Sequence, residues 1–232
     1  MELEYYTVGG SYGWNQEKST APMRKGGGCA AVTACDSLIY FSKYMGLTEC
    51  CPIETSEITI KSYKAFSRVM KPYLRPRWQG IDSLDIYIEG LTDYLRDIGE
   101  NRISIRGFSG KGSLEEAKKI VKSQIDKKIP LPCLNLKHKD SKFKDFEWHW
   151  FMLTGYWECG DGGENADDKE ISTGGENAGH LMVKVVSYGE FVWLDFDELW
   201  QTGYERKGGL IIFDVENDRP QALCLRSVVY LT

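Results

Sequence analysis

The chain has 232 residues, 42% of them hydrophobic and 12% aromatic, enough for one large core or two fused half-domains. Its formal net charge is -5 and its Lys and Arg residues are scattered, so the basic face that neutralises phosphates is missing and no nucleic-acid partner is expected. No apolar run nears membrane-spanning length, and MELEYYTVGG lacks the basic and apolar regions of a signal peptide, so no membrane partner and a cytoplasmic location are expected.

In chain order, a short strand is predicted from Leu3 to Val8, followed by a Gly-, Ser- and Lys-containing loop up to Gly28. Cys29 to Gly46 reads as a helix. Thr33, Asp36, Ser37 and Lys43 fall near one stripe, and the remaining surface is Ala, Val, Leu, Ile, Tyr and Phe. So apolar a helix belongs at the centre of a fold, and Gly46 suits its C-cap. Further helices are predicted over Ser56 to Tyr73, Ser83 to Ile98 and Ser113 to Lys127, with Ser113 and Glu116 at capping-box spacing. Beyond residue 127 the pattern changes to short β-rich segments separated by turn residues: IPLPCLNLKH, HWFMLTGYW, HLMVKVVSYG, EFVWLDF, GGLIIFDV and ALCLRSVVYL. These patterns predict a single α+β domain, with a mainly helical half at 1–127 and a mainly antiparallel β half at 128–232 meeting at a cleft. The acidic stretch ECGDGGENADDKEISTGGENAG carries GGENA twice. It lacks the alternating carboxylates of a calcium loop and reads as a solvated hairpin insertion.

Few residues could carry chemistry. There are three His residues, His138, His149 and His180, and seven irregularly spaced Cys residues, expected as reduced thiols. With no Cys-x-x-Cys pair and no clustered His, neither a metal nor a cofactor is expected. Cys29 opens its helix, where free N–H groups and the helix dipole favour a thiolate. The three glycines before it let a substrate carbonyl approach its backbone N–H, half of an oxyanion hole. His149 is the first residue of its strand, on rigid backbone, in the cysteine-then-histidine order of thiol enzymes. His138, among lysines, reads as exposed, Cys35, Cys133 and Cys224 as core, and His180 as the competitor of His149.

The order GGGCAAVTACDSLIYF, then KSQIDKKIPLPCLNL, then HWFMLTGYW, resembles the papain-like cysteine peptidase superfamily. Within it, the chain is most similar to bacterial peptidases of the bacteriocin-leader (double-glycine) processing kind. The resemblance implies a papain-like fold, a peptide or amide substrate, Cys29 as nucleophile and His149 as general base and acid. The family's oxyanion-hole glutamine would fall at Met23, and the nearest candidate is Gln16, beside Asn15. Two residues compete to orient the imidazole. Ser187 lies in VSYG, which resembles the family's Asn-Ser-Trp-Gly corner, whereas Asp195 would supply the carboxylate that bacterial relatives use. The same constellation also serves a transglutaminase-like acyltransferase, and a catalytically inactive peptide-binding domain is the alternative of another class.

Overall fold

The computed structural model describes residues 1–15, 28–75, 80–159 and 179–216. Gln16, Met23, Cys224, the predicted strand ALCLRSVVYL and most of the acidic insertion lie outside the described residues.

The helices begin and end where local chemistry allows. α1 (Cys29–Met45) stops where Gly46 takes φ 76°, a left-handed conformation open to a residue without Cβ. α2 (Ile60–Met70) starts later than its sequence pattern because Thr59 caps it, with Thr59 and Ser62 exchanging side-chain-to-backbone hydrogen bonds. α3 (Leu84–Asp97) and α4 (Leu114–Asp126) are capped by Ser83 and Ser113, and Ser113 Oγ also donates to Glu116 Oε2 at 2.7 Å.

Near the N-terminus, β1 (Thr7–Val8) and β2 (Ser11–Tyr12) form a small hairpin. Among the described residues, six further strands form one antiparallel sheet. Its order is β3 (Ile103–Ser109), β8 (Gly209–Val215), β4 (Leu131–Asn135), β5 (His149–Glu158), β6 (Leu181–Ser187) and β7 (Glu190–Asp195). A five-residue helix, α5 (Phe196–Trp200), follows β7. The fold is therefore α+β. β3 departs from the expected division, because it lies within the helical half of the sequence yet pairs with β8 along its whole length. It is an edge strand in which Ile103 is the one buried apolar residue, and its apolar–polar alternation is confined to Ile103–Arg106, ahead of Gly107.

The core lies between α1 and the sheet. Phe41 meets Phe213 of β8 edge-on at 5.0 Å, and Ser37 Oγ reaches Met152 Sδ of β5 at 3.9 Å. Trp150, two residues from Met152 and so on the same face of β5, stacks on Tyr87 of α3 at 4.5 Å. The polar stripe of α1 faces inward: Thr33, Asp36 and Ser37 are all buried and all bonded. Asp36 Oδ1 accepts the hydroxyls of Tyr6 (2.7 Å) and Tyr63 (2.6 Å). Burial pushes this carboxyl up to about 6, against the opposing pull of the tyrosine hydrogen bonds. Among the described residues, no helix is long and apolar enough to cross a membrane.

Candidate active site

Cys29 is the first residue of α1 and is only 6% exposed. Gly28 before it offers no side-chain cap, and its carbonyl accepts the Val32 N–H at 3.0 Å. Burial pushes the Cys29 thiol up, while the backbone N–H groups of Trp150, Ala30 and Cys29 itself pull it back. The sulfur thus sits against β5 beside the residue that follows His149.

His149 opens β5, opposite Asn135 of β4, and is buried. Its Nε2 lies 2.7 Å from Ser187 Oγ, at the end of the adjacent strand β6. The ring stacks parallel on Tyr188, with centroids 4.6 Å apart and planes 2° apart. Burial lowers its pKa from the ordinary 6.5 to about 4. No hydrogen bond joins the Cys29 thiol to the His149 ring among the described residues, and neither group shifts the other's pKa. Near neutral pH the pair is therefore a thiol and a neutral imidazole. With Nε2 held by Ser187, Nδ1 is the nitrogen left to exchange a proton.

Backbone strain gathers around this imidazole. Among the described residues only Lys128, Trp148 and Tyr188 have positive φ without being glycine. Trp148 (φ 52°) immediately precedes His149, and Tyr188 (φ 52°) carries the ring stacked on it. Tyr188 and Gly189 (φ 83°) form the two-residue connection between β6 and β7, where both central residues need positive φ and Asn-Gly is the usual choice. A Cβ on Gly189 would come within 2.6 Å of Asn15 Cβ.

The two proposed orienters separate. Ser187 reaches His149 because β6 pairs directly with β5. Asp195 lies on β7, one strand further out, and does not serve His149. Its Oδ1 caps α5 by accepting the Glu198 N–H at 3.2 Å, and its Oδ2 lies 2.6 Å from His180 Nδ1. His180 thus belongs to a group with Asp195 and Asp197. His138 also departs from its reading as exposed. It is buried, its Nε2 lies 3.0 Å from the Glu198 carbonyl, and its Nδ1 accepts the Asp140 N–H at 3.0 Å.

Ligand atoms of His180, Asp195 and Asp197 lie within 4.8 Å of one another, a grouping with the donor types of a metal site. Its own contacts account for it. Lys118 Nζ stands 2.5 Å from Asp197 Oδ2, so an ammonium already supplies the cation, and Asp197 Oδ1 accepts the Leu181 N–H at 2.9 Å. Cys159 is close enough for these carboxylates to act on its thiol. Burial first, and then the charges of Asp195 and Asp197, push it up and away from a thiolate nucleophile. Cys50 and Cys51 are separate buried thiols, with Cys50 Sγ donating to the Leu38 carbonyl at 3.3 Å.

One residue of the site has no signature in the sequence. Asn135 faces His149 across the β4–β5 ladder, is buried, and finds no hydrogen-bond partner for either side-chain atom among the described residues. Only the strand register identifies it. Comparison of the sequence with protein-family models and curated proteins, and of the structure with solved structures, finds no match.

Proposed function

We propose that the chain is a papain-like, thiol-dependent peptide or amide hydrolase. Cys29 Sγ attacks the carbonyl carbon of the scissile bond while His149 Nδ1 takes the thiol proton. His149 then returns that proton to the leaving amine, and water attacks the resulting thioester to release the acid. The Cys29 backbone N–H faces the developing oxyanion, with Gln16 as the second donor. Ser187 keeps the ring from turning by holding Nε2. The observation that carries this reading is the Ser187–His149 contact at 2.7 Å, made at a strand end beside the backbone against which Cys29 packs. A hydroxyl, unlike a carboxylate, adds no charge to favour imidazolium, which agrees with an uncharged resting pair.

The missing Cys29–His149 hydrogen bond favours one second reading, a peptide-binding domain without turnover. Alkylation separates the two. Treatment with iodoacetamide and with a peptidyl epoxide, followed by intact mass and peptide mapping, should modify Cys29 ahead of the other thiols. Cys29→Ala should remove that adduct and all hydrolysis while the circular dichroism spectrum stays unchanged. Cys29 labelling no faster than that of the buried Cys35 would replace the hydrolase with the binding domain. Amine-dependent product formation would instead assign the site to acyl transfer.

A further inference from the structure

We propose that the groove between Trp148 and Tyr204 binds an acidic peptide segment, with an apolar side chain in the groove and Asp or Glu carboxylates at its rim. The proposal names the substrate class of the hydrolase reading; it rests on that reading for turnover but not for binding.

A cavity of about 530 Å³ lies between the end of β4 and the loop after α5, with Leu136, Trp148 and Tyr204 as apolar walls. That volume suits one large side chain with its flanking backbone. Trp148 and Tyr204 are 38% and 40% exposed, so two large rings stand open to solvent on facing walls. The Trp148 N–H donates to the Leu136 carbonyl at 2.9 Å, and the next residue is His149, so the groove begins one residue from the imidazole.

Charge selects the occupant. Lys137 and Lys139 hold their ammonium groups 5.9 and 5.8 Å from the Tyr204 ring centroid, and the Arg206 guanidinium lies 5.3 Å from that of Trp148. Arg206 pairs with Asp82, and Glu205 is the one anion among the described residues of the lining. Lys137 and Lys139 pair with no carboxylate among the described residues, unlike Lys118, Lys122, Lys142 and Lys184. On a chain of net charge -5, this leaves a local excess of positive charge around an apolar groove. The two lysines are also pinned from below. His138 between them is buried and bonded through both ring nitrogens, and the Lys139 N–H donates to the Thr202 carbonyl at 2.9 Å.

The test uses the Cys29→Ala chain and fluorescence anisotropy with three labelled peptides of equal length. The first carries Phe between two Glu, the second Phe between two Lys, and the third Gly in place of Phe between two Glu. The first should bind about tenfold more tightly than either of the others, and its affinity should fall as salt is raised. Lys137→Gln with Lys139→Gln should cost about tenfold on the first peptide and little on the second, while Arg96→Gln, on an exposed remote helix turn, should change nothing. Equal affinity for the acidic and basic peptides, an unchanged affinity in the double variant, or tighter binding of polyphosphate than of the first peptide overturns the proposal. If the wild-type chain binds the acidic peptide without cleaving it, the hydrolase reading falls and the groove stands. Cleavage of the acidic and basic peptides at one rate has the reverse meaning.

Discussion

Ser187 Oγ and His149 Nε2 form a partly buried contact between two uncharged groups, so its loss is felt mainly as a loss of ring orientation. Ser187→Ala should lower kcat/KM by about tenfold, the equivalent of one hydrogen bond of roughly 1.4 kcal/mol, with an accompanying shift of the pH profile. Asp195→Asn should leave both unchanged. It should instead reduce the unfolding free energy by about 1 kcal/mol, because the amide keeps an acceptor for the cap of α5 but loses the carboxylate oxygen that faces His180 Nδ1. Kinetics and urea unfolding on the two variants check this directly. A collapse of activity in Asp195→Asn with Ser187→Ala unaffected would return the orienting role to the carboxylate. The sequence offered both residues. Which one reaches His149 depends on whether the strand beside β5 is the one ending at 187 or the one ending at 195, and hydropathy does not encode that neighbour relation.

At the scale of the element, the β6–β7 hairpin sets a turn preference against a site requirement. Tyr188 sits at a positive-φ position that Asn or Gly would occupy at lower cost, and its ring lies flat on His149. Relief of the left-handed strain is worth about 1–2 kcal/mol, and the lost stacking costs about 0.5–1.5 kcal/mol. Tyr188→Asn should therefore change stability by no more than about 1.5 kcal/mol while uncovering the imidazole. The His149 pKa should then move up from about 4 towards the ordinary 6.5, as followed by NMR titration of the ring protons. An unmoved titration would mean that the ring contributes nothing to the desolvation of His149. The helices were legible at this scale because their caps are local: Ser83, Ser113 and Gly46 act within a few residues of themselves. β3 was not, because its apolar–polar alternation is confined to Ile103–Arg106 and its partner β8 lies about a hundred residues further along the chain.

For the whole molecule, two buried groups oppose each other in acid. His149 has its folded pKa lowered to about 4, so the unfolded chain binds more protons. Its contribution is complete above the ordinary pKa of 6.5 and is lost as pH falls through 4. Asp36 has its folded pKa raised to about 6. Its contribution is complete below the ordinary 3.8 and is lost as pH rises through 6. Each shift corresponds to roughly 3 kcal/mol with opposite sign, so the two nearly cancel between about pH 4 and 6. Asp36→Asn keeps an acceptor for Tyr6 and Tyr63 but does not titrate. Relative to wild type, its unfolding free energy should rise by roughly 3 kcal/mol from about pH 4 to pH 6, measured by urea denaturation across that range. A flat difference would show that Asp36 titrates normally in the folded chain.

What the sequence determined by itself is local: the α+β pattern, the helix that Cys29 opens, the strand that His149 opens, and the caps that bound the helices. These follow from periodicity and from hydrogen bonds made within a turn of the chain. The tertiary structure decided the rest. It turned the polar stripe of α1 inward onto Tyr6 and Tyr63, buried His138 under Glu198, gave Asp195 to His180 and Ser187 to His149, and set Asn135, whose side chain has no partner among the described residues, opposite the imidazole. Each of these depends on strand order and register, which join residues far apart in sequence and are fixed by packing rather than by any segment's own composition.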